Sequence, residues 1–147
     1  MFAAEFARLW MKITKDWKAH LDEALAPALT ESQLNVLELL LEHQPMKPSD
    51  MLQYLSTTPA AITTLLDRME RGGLIARTRD EHDRRIVWVT ATERGVREAR
   101  RGVEIRERYI QQALDRISAH NQQLLIYLLG KIADEPVMRP AAAGEGR

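Results

Sequence analysis

The chain of 147 residues contains no cysteine. That excludes disulfides, thiolate zinc sites and any sensing chemistry that passes through a sulfenic acid. Long apolar runs are also missing. None approaches the length needed to span a bilayer, and the first 17 residues, MFAAEFARLWMKITKDW, carry charges throughout. The composition therefore reads as a soluble, cytoplasmic protein. The four histidines, His20, His43, His82 and His120, have no metal-ligand spacing, and the acidic group Asp80, Glu81 and Asp83 sits in one turn, where neighbours rarely converge on an ion. No metal or cofactor is expected. Nucleophile triads, phosphate-cradling glycine loops and helical H-E-x-x-H are absent too, so the chain does not read as an enzyme.

Net charge is zero, but it is unevenly placed. Residues 1–56 have five Lys/Arg against eight Asp/Glu, a net of −3; residues 57–110 have twelve, all arginine, against nine, a net of +3. Hydrophobic residues make up 45% of the chain, enough for a folded core.

The positive segment has the most distinctive pattern. Thr58 is placed to cap a helix with Pro59 at its first position, and Ile62, Leu65, Leu66 and Met69 form the inner face. Gly72-Gly73 ends that helix with a left-handed cap. Leu74–Arg79 and Ile86–Ala91 then read as two short strands around the charged turn DEHDRR. A helix followed by an arginine-tipped hairpin suits double-stranded DNA: the helix enters a major groove and the hairpin reaches the backbone or the minor groove.

Flanking segments are helical. Phe2, Phe6, Leu9, Trp10, Ile13, Trp17, Leu21 and Leu25 form one apolar stripe ending before Pro27. Thr30 with Gln33 makes a capping box for a second helix buried through Leu34, Val36, Leu37, Leu40 and Leu41, and PSDMLQYL reads as a short third helix. Thr92 starts a long helix predicted to run to about Ala119, polar at first and apolar later. Ser118 starts a last one, rich in leucine and isoleucine. The end helices expose more apolar surface than the small centre can cover, which predicts a homodimer. The fold class expected is mainly α with a small β-wing: a winged helix-turn-helix lobe over 30–104, dimerisation helices over 1–26 and 105–134, and a disordered tail over 135–147.

Three blocks, LDEALAPALTESQLNVLELL, SDMLQYLSTTPAAITTLLDRMERGGLIAR and DRRIVWVTATERG, resemble the MarR family of bacterial transcription regulators, over roughly Leu21 to Ile132. The resemblance implies one domain over 1–134 and a homodimer on an inverted-repeat operator. It also implies a regulator that usually represses and is often released by a small aromatic or phenolic effector. It further implies that Asp83 and Arg85 pair to shape the wing while Arg84 projects into the minor groove. One departure concerns the recognition helix, which has no Lys or Arg from Ser56 to Asp67, where the family often has a basic residue.

The candidate DNA contacts are therefore Thr57, Thr58, Thr63 and Thr64, with Pro59 and Ala60 against thymine methyls. The arginines Arg68, Arg71, Arg77, Arg79, Arg84 and Arg85 join them as phosphate or groove contacts. Trp10, Trp17 and His20 are candidates for an effector pocket, against the plainer reading that they belong to a dimer core. Trp88 reads as wing packing. Two rivals stand beside this reading: a DNA-binding dimer without an effector, and a winged-helix interaction module that does not bind DNA.

Overall fold

A computed structural model describes residues 1–141. Six α-helices and one two-stranded antiparallel sheet follow in chain order among the described residues: α1 Ala3–Leu25, α2 Glu31–His43, α3 Pro48–Met51, α4 Pro59–Arg71, β1 Ile75–Arg79, β2 Val87–Ala91, α5 Glu93–Leu114 and α6 Ala119–Ala133. The chain divides into two units, one through Arg106 and one from Glu107.

The first unit is built around α2. The Thr30 hydroxyl accepts the Gln33 N–H at 3.2 Å and the Gln33 side chain accepts the Thr30 N–H at 3.1 Å, the reciprocal box expected from the sequence. Leu34, Val36, Leu37 and Leu40 are buried, joined by Leu39, whereas Leu41 is exposed. The exchange of Leu41 for Leu39 follows from neighbours: α2 is covered on several sides, so its buried arc is wider than one amphipathic stripe. Ile62, Leu66 and Met69 of α4, Leu74, Ile75 and Val89 of the hairpin, and Leu21 and Leu25 of α1 complete the core. Leu65 is only half-buried.

Two expected helices are shorter than predicted. PSDMLQYL is helical only through Met51, and α5 stops at Leu114 rather than near Ala119. At the second end the Gln122 side chain donates to the carbonyls of Leu114 and Ile117 at 3.0 and 3.1 Å, satisfying the exposed end of α5. Gly72 is right-handed (φ −76) and Gly73 alone takes the left-handed turn (φ +74).

The first half of α5 is polar in sequence yet closely packed. Gly95, Ala99 and Gly102 are buried along one stripe. A Cβ on Gly95 would lie 2.1 Å from the Leu74 carbonyl oxygen, and one on Gly102 would lie 2.8 Å from Leu34 Cδ1. Gly95 admits no side chain unless backbone moves, and a side chain at Gly102 would require Leu34 to shift. Elsewhere apolar surface stays open: Phe2, Trp10 and Ile13 are 78%, 48% and 56% exposed in this single chain.

In the second unit, Ser118 caps α6 by accepting the Asn121 N–H at 3.2 Å. Leu124, Ile126, Leu128 and Ile132 of α6 are exposed. Residues 135–141 have no regular structure, but Val137 lies over Gly130, and the Glu135 N–H donates to the Gly130 carbonyl at 2.9 Å. The rest of the expected tail lies outside the described residues.

Candidate nucleic-acid interface

The recognition element starts with α4. Thr58 accepts the Ala61 N–H at 3.2 Å, and Pro59 at the first helical position has no N–H to leave unsatisfied. Apolar residues at 62, 66 and 69 anchor the helix, leaving Pro59, Ala60, Ala61, Thr63 and Thr64 exposed on its first two turns. The Thr63 hydroxyl donates to the Pro59 carbonyl at 2.9 Å and the Thr64 hydroxyl to the Ala60 carbonyl at 3.1 Å. Thr57 is half-buried beside the start of this helix, while Arg68 and Arg71 are exposed on its last turns. Arg71 Nε donates to the Asp67 carbonyl at 3.4 Å, and no ion pair forms at Arg68 among the described residues.

Strand register pairs Ile75 with Ala91 and Arg79 with Val87. The root of the wing is held from three directions. Met46 bridges to Val89, exchanging both backbone hydrogen bonds at 3.1 and 2.8 Å, and the Gln44 side chain accepts the Ala91 N–H at 2.9 Å. The Thr92 hydroxyl donates to the Gly73 carbonyl at 2.6 Å and accepts the Gly95 N–H at 3.0 Å, so one side chain ties the exit of α4 to the entry of α5. The short Met46 and Gln44 connections leave no mark in the sequence, because a single bridging residue carries no periodicity.

Arg77, a candidate DNA contact on β1, is engaged by side chains of α4. Its guanidinium donates to Asp67 at 2.7 Å and to Glu70 at 3.0 and 3.2 Å, bridging β1 to α4. The Arg77 hydrogen bond is the main cause holding the Glu70 carboxyl below its ordinary range, and Glu70 and Asp67 in turn raise the guanidinium. Held by two carboxylates, the Arg77 guanidinium braces the wing against the helix. The sequence places Arg77 on a strand face but cannot show which carboxylates lie beneath it.

At the wing tip, Asp80 accepts the Trp88 indole N–H on one oxygen at 2.9 Å and the backbone N–H groups of His82 and Asp83 on the other, at 3.0 and 2.9 Å. These donors, the indole first, hold the Asp80 carboxyl low. Arg85 pairs with Asp83 through two hydrogen bonds of 3.0 Å each, lowering the acid and raising the base. Arg79 donates to the Arg84 carbonyl at 2.7 Å. With Arg79 and Arg85 engaged inside the hairpin, the Arg84 side chain is exposed at the tip without an ion pair among the described residues.

Residues 29–87 match the MarR family. The HTH-type transcriptional regulator YwhA of Bacillus subtilis is 30% identical over 125 residues, which span 84% of this chain and 87% of that protein. The chain belongs to the MarR family. It is a DNA-binding transcription regulator with a winged-helix fold, not an enzyme. A shorter match, to the transcriptional repressor MdtR of Bacillus subtilis, is 37% identical over 67 residues and spans 46% of this chain and 43% of that one. Among solved MarR-family structures, a mutant of Escherichia coli MarR complexed with operator DNA superposes with a TM-score of 0.73 at 26% identity, over 90% of this chain and 97% of that one.

The candidate effector residues are spread along α1. Trp10 is exposed and stacks on Phe6 at 5.9 Å between ring centroids, His20 is exposed, and Trp17 is half-buried against the core. The Trp17 indole N–H is the one buried side-chain polar atom among the described residues with no hydrogen-bond partner. None of the three lines the open cleft of about 550 Å³ that the first unit contains, whose walls come from Ser32–Glu42 and Tyr54–Leu65. No candidate metal cluster occurs among the described residues, and no described helix is long and apolar enough to cross a membrane.

Proposed function

We propose that this MarR-family chain is a homodimeric repressor of an inverted-repeat operator, acting in the cytoplasm. The N-terminal turns of α4 enter the major groove, with Thr57, Thr58, Pro59, Ala60, Thr63 and Thr64 at the DNA. Arg68 and Arg71 reach phosphates and Arg84 lies in the adjacent minor groove, where narrow A·T-rich segments attract arginine. The carrying observation is the Arg77 bridge to Asp67 and Glu70, which makes the helix and the wing one surface. The operator complex of the related MarR supports this placement.

The open apolar surfaces of α1 and α6 support self-association, and a two-fold dimer fits half-sites about one helical turn apart. A small aromatic effector near Trp10, Trp17 and His20 completes the reading. The unpartnered Trp17 N–H supports a site that offers it an acceptor. Such an effector weakens DNA binding by favouring a dimer geometry whose recognition helices no longer match successive grooves.

Fluorescence anisotropy with a duplex pool at two salt concentrations tests the core of this proposal. Binding that prefers one duplex and weakens steeply with salt is expected. Absence of binding at low salt would instead favour an interaction module. Titrating aromatic acids and phenols into the DNA complex then tests the effector, and sedimentation of the free protein tests the dimer.

A further inference from the structure

The exposed side chains on the first two turns of α4 are Pro59, Ala60, Ala61, Thr63 and Thr64. None carries an amide, guanidinium or ammonium group. The two threonine hydroxyls have already committed their hydrogens, to the Pro59 and Ala60 carbonyls at 2.9 and 3.1 Å. On these two turns hydroxyl lone pairs and methyl groups remain to face a ligand; the capping Thr58 accepts the Ala61 N–H and adds a single hydroxyl hydrogen. The nearest carboxylates on the same helix, Asp67 and Glu70, are held by Arg77. Arg68 stands eight residues beyond Ala60, roughly 12 Å further along the axis.

This inventory discriminates among bases. Guanine presents two acceptors, N7 and O6, in the major groove, and a good contact supplies two donors from one side chain. Thr63 and Thr64 each have one hydrogen to give, and only by abandoning a carbonyl. Both base pairs present two acceptors and one amino donor in the major groove, so acceptors left unmatched here cost about the same for either pair. The adenine N6 and cytosine N4 amino groups can both meet a hydroxyl lone pair, so what sets A·T apart is the thymine methyl, which suits an apolar surface.

Given the DNA-binding reading above, we infer that α4 reads A·T pairs, chiefly through thymine methyls, and makes no paired-donor contact to guanine. The helix and the wing arginine then select for A·T-rich DNA in both grooves.

The test begins with selection of operators from random duplexes by the intact protein. Thymines across each selected half-site are next replaced singly by uracil, which deletes only the major-groove methyl and leaves the minor groove unchanged. At least one such replacement in each half-site is expected to weaken binding about three- to fivefold, the value of one buried methyl. Replacing half-site guanines by 7-deazaguanine, which removes N7, is expected to change affinity by less than about twofold. Sequence-specific binding that ignores uracil, or that falls tenfold or more with 7-deazaguanine, overturns the inference while leaving the regulator reading intact. If no duplex is enriched, the DNA-binding reading fails and this inference falls with it.

Discussion

The Trp88 indole N–H donates to Asp80 Oδ1 at 2.9 Å, fastening the second wing strand to the turn that carries Arg84. The same carboxylate receives two backbone N–H groups through its other oxygen, so removing the indole hydrogen bond loosens the turn without breaking it. Trp88→Phe keeps the ring packing and deletes the donor. It is expected to weaken operator binding severalfold with little change in melting temperature. Asp80→Ala is more decisive. Losing a negative charge near DNA would strengthen binding on charge alone, whereas loss of wing order weakens it. We expect weakening, measured by anisotropy at fixed salt.

Among the described residues the Arg84 side chain forms no ion pair, and its backbone carbonyl is already held by Arg79. Arg84→Ala should weaken operator binding by about 1–3 kcal/mol with no loss of folding stability. Unchanged affinity would mean that the wing does not reach DNA.

The Arg77 brace predicts that its partners matter as much as the arginine itself. Arg77→Met and the double variant Asp67→Asn, Glu70→Gln should both weaken DNA binding, although the second makes the protein more positive. If Arg77 instead served as a phosphate contact, only Arg77→Met would weaken binding. Comparing the two salt slopes separates these cases.

Gly95 faces the Leu74 carbonyl too closely for any side chain. Gly95→Ala is expected to destabilise the fold by about 3 kcal/mol or more, because backbone must move to admit the Cβ. At about 2–4 °C per kcal/mol for a chain of this size, thermal unfolding would show it directly. A melting temperature within a degree of the parent would contradict the close approach.

Asp80, Asp83 and Glu70 all have folded carboxyl groups held below their ordinary range by hydrogen bonds. Their contribution is therefore complete above the unfolded values near 4 and is lost as pH falls through the lower folded ones. Wing order should be constant from about pH 8 to pH 5 and fail only in acid, below about pH 4. Trp88 fluorescence in a Trp10→Phe, Trp17→Phe background reports it. A transition centred near neutrality would point to a group other than these carboxylates.

Sequence alone locates the elements that announce themselves by caps and periodicity. Thr30 with Gln33, Thr58 with Pro59, and Ser118 behave as their residue types require, and the hairpin lies within a residue of its predicted span. Contacts between distant segments are less legible. The polar first half of α5 hides a buried stripe of Gly95, Ala99 and Gly102, because residues without bulk leave no hydrophobic signal. The Arg77 brace is invisible in the sequence because its partners come from another element, ten and seven residues upstream. Leu39 and Leu41 exchange roles because burial on a central helix depends on every neighbour, not on one face.

The wing is fixed at both ends. Thr92, Met46 and Gln44 hold its root, Arg77 braces its flank, and Asp80 closes its tip. Its conformational freedom is thus surrendered when the chain folds rather than when it meets a duplex. Docking should proceed nearly as a rigid body, with little ordering entropy opposing it and a heat-capacity change no larger than the buried interface requires.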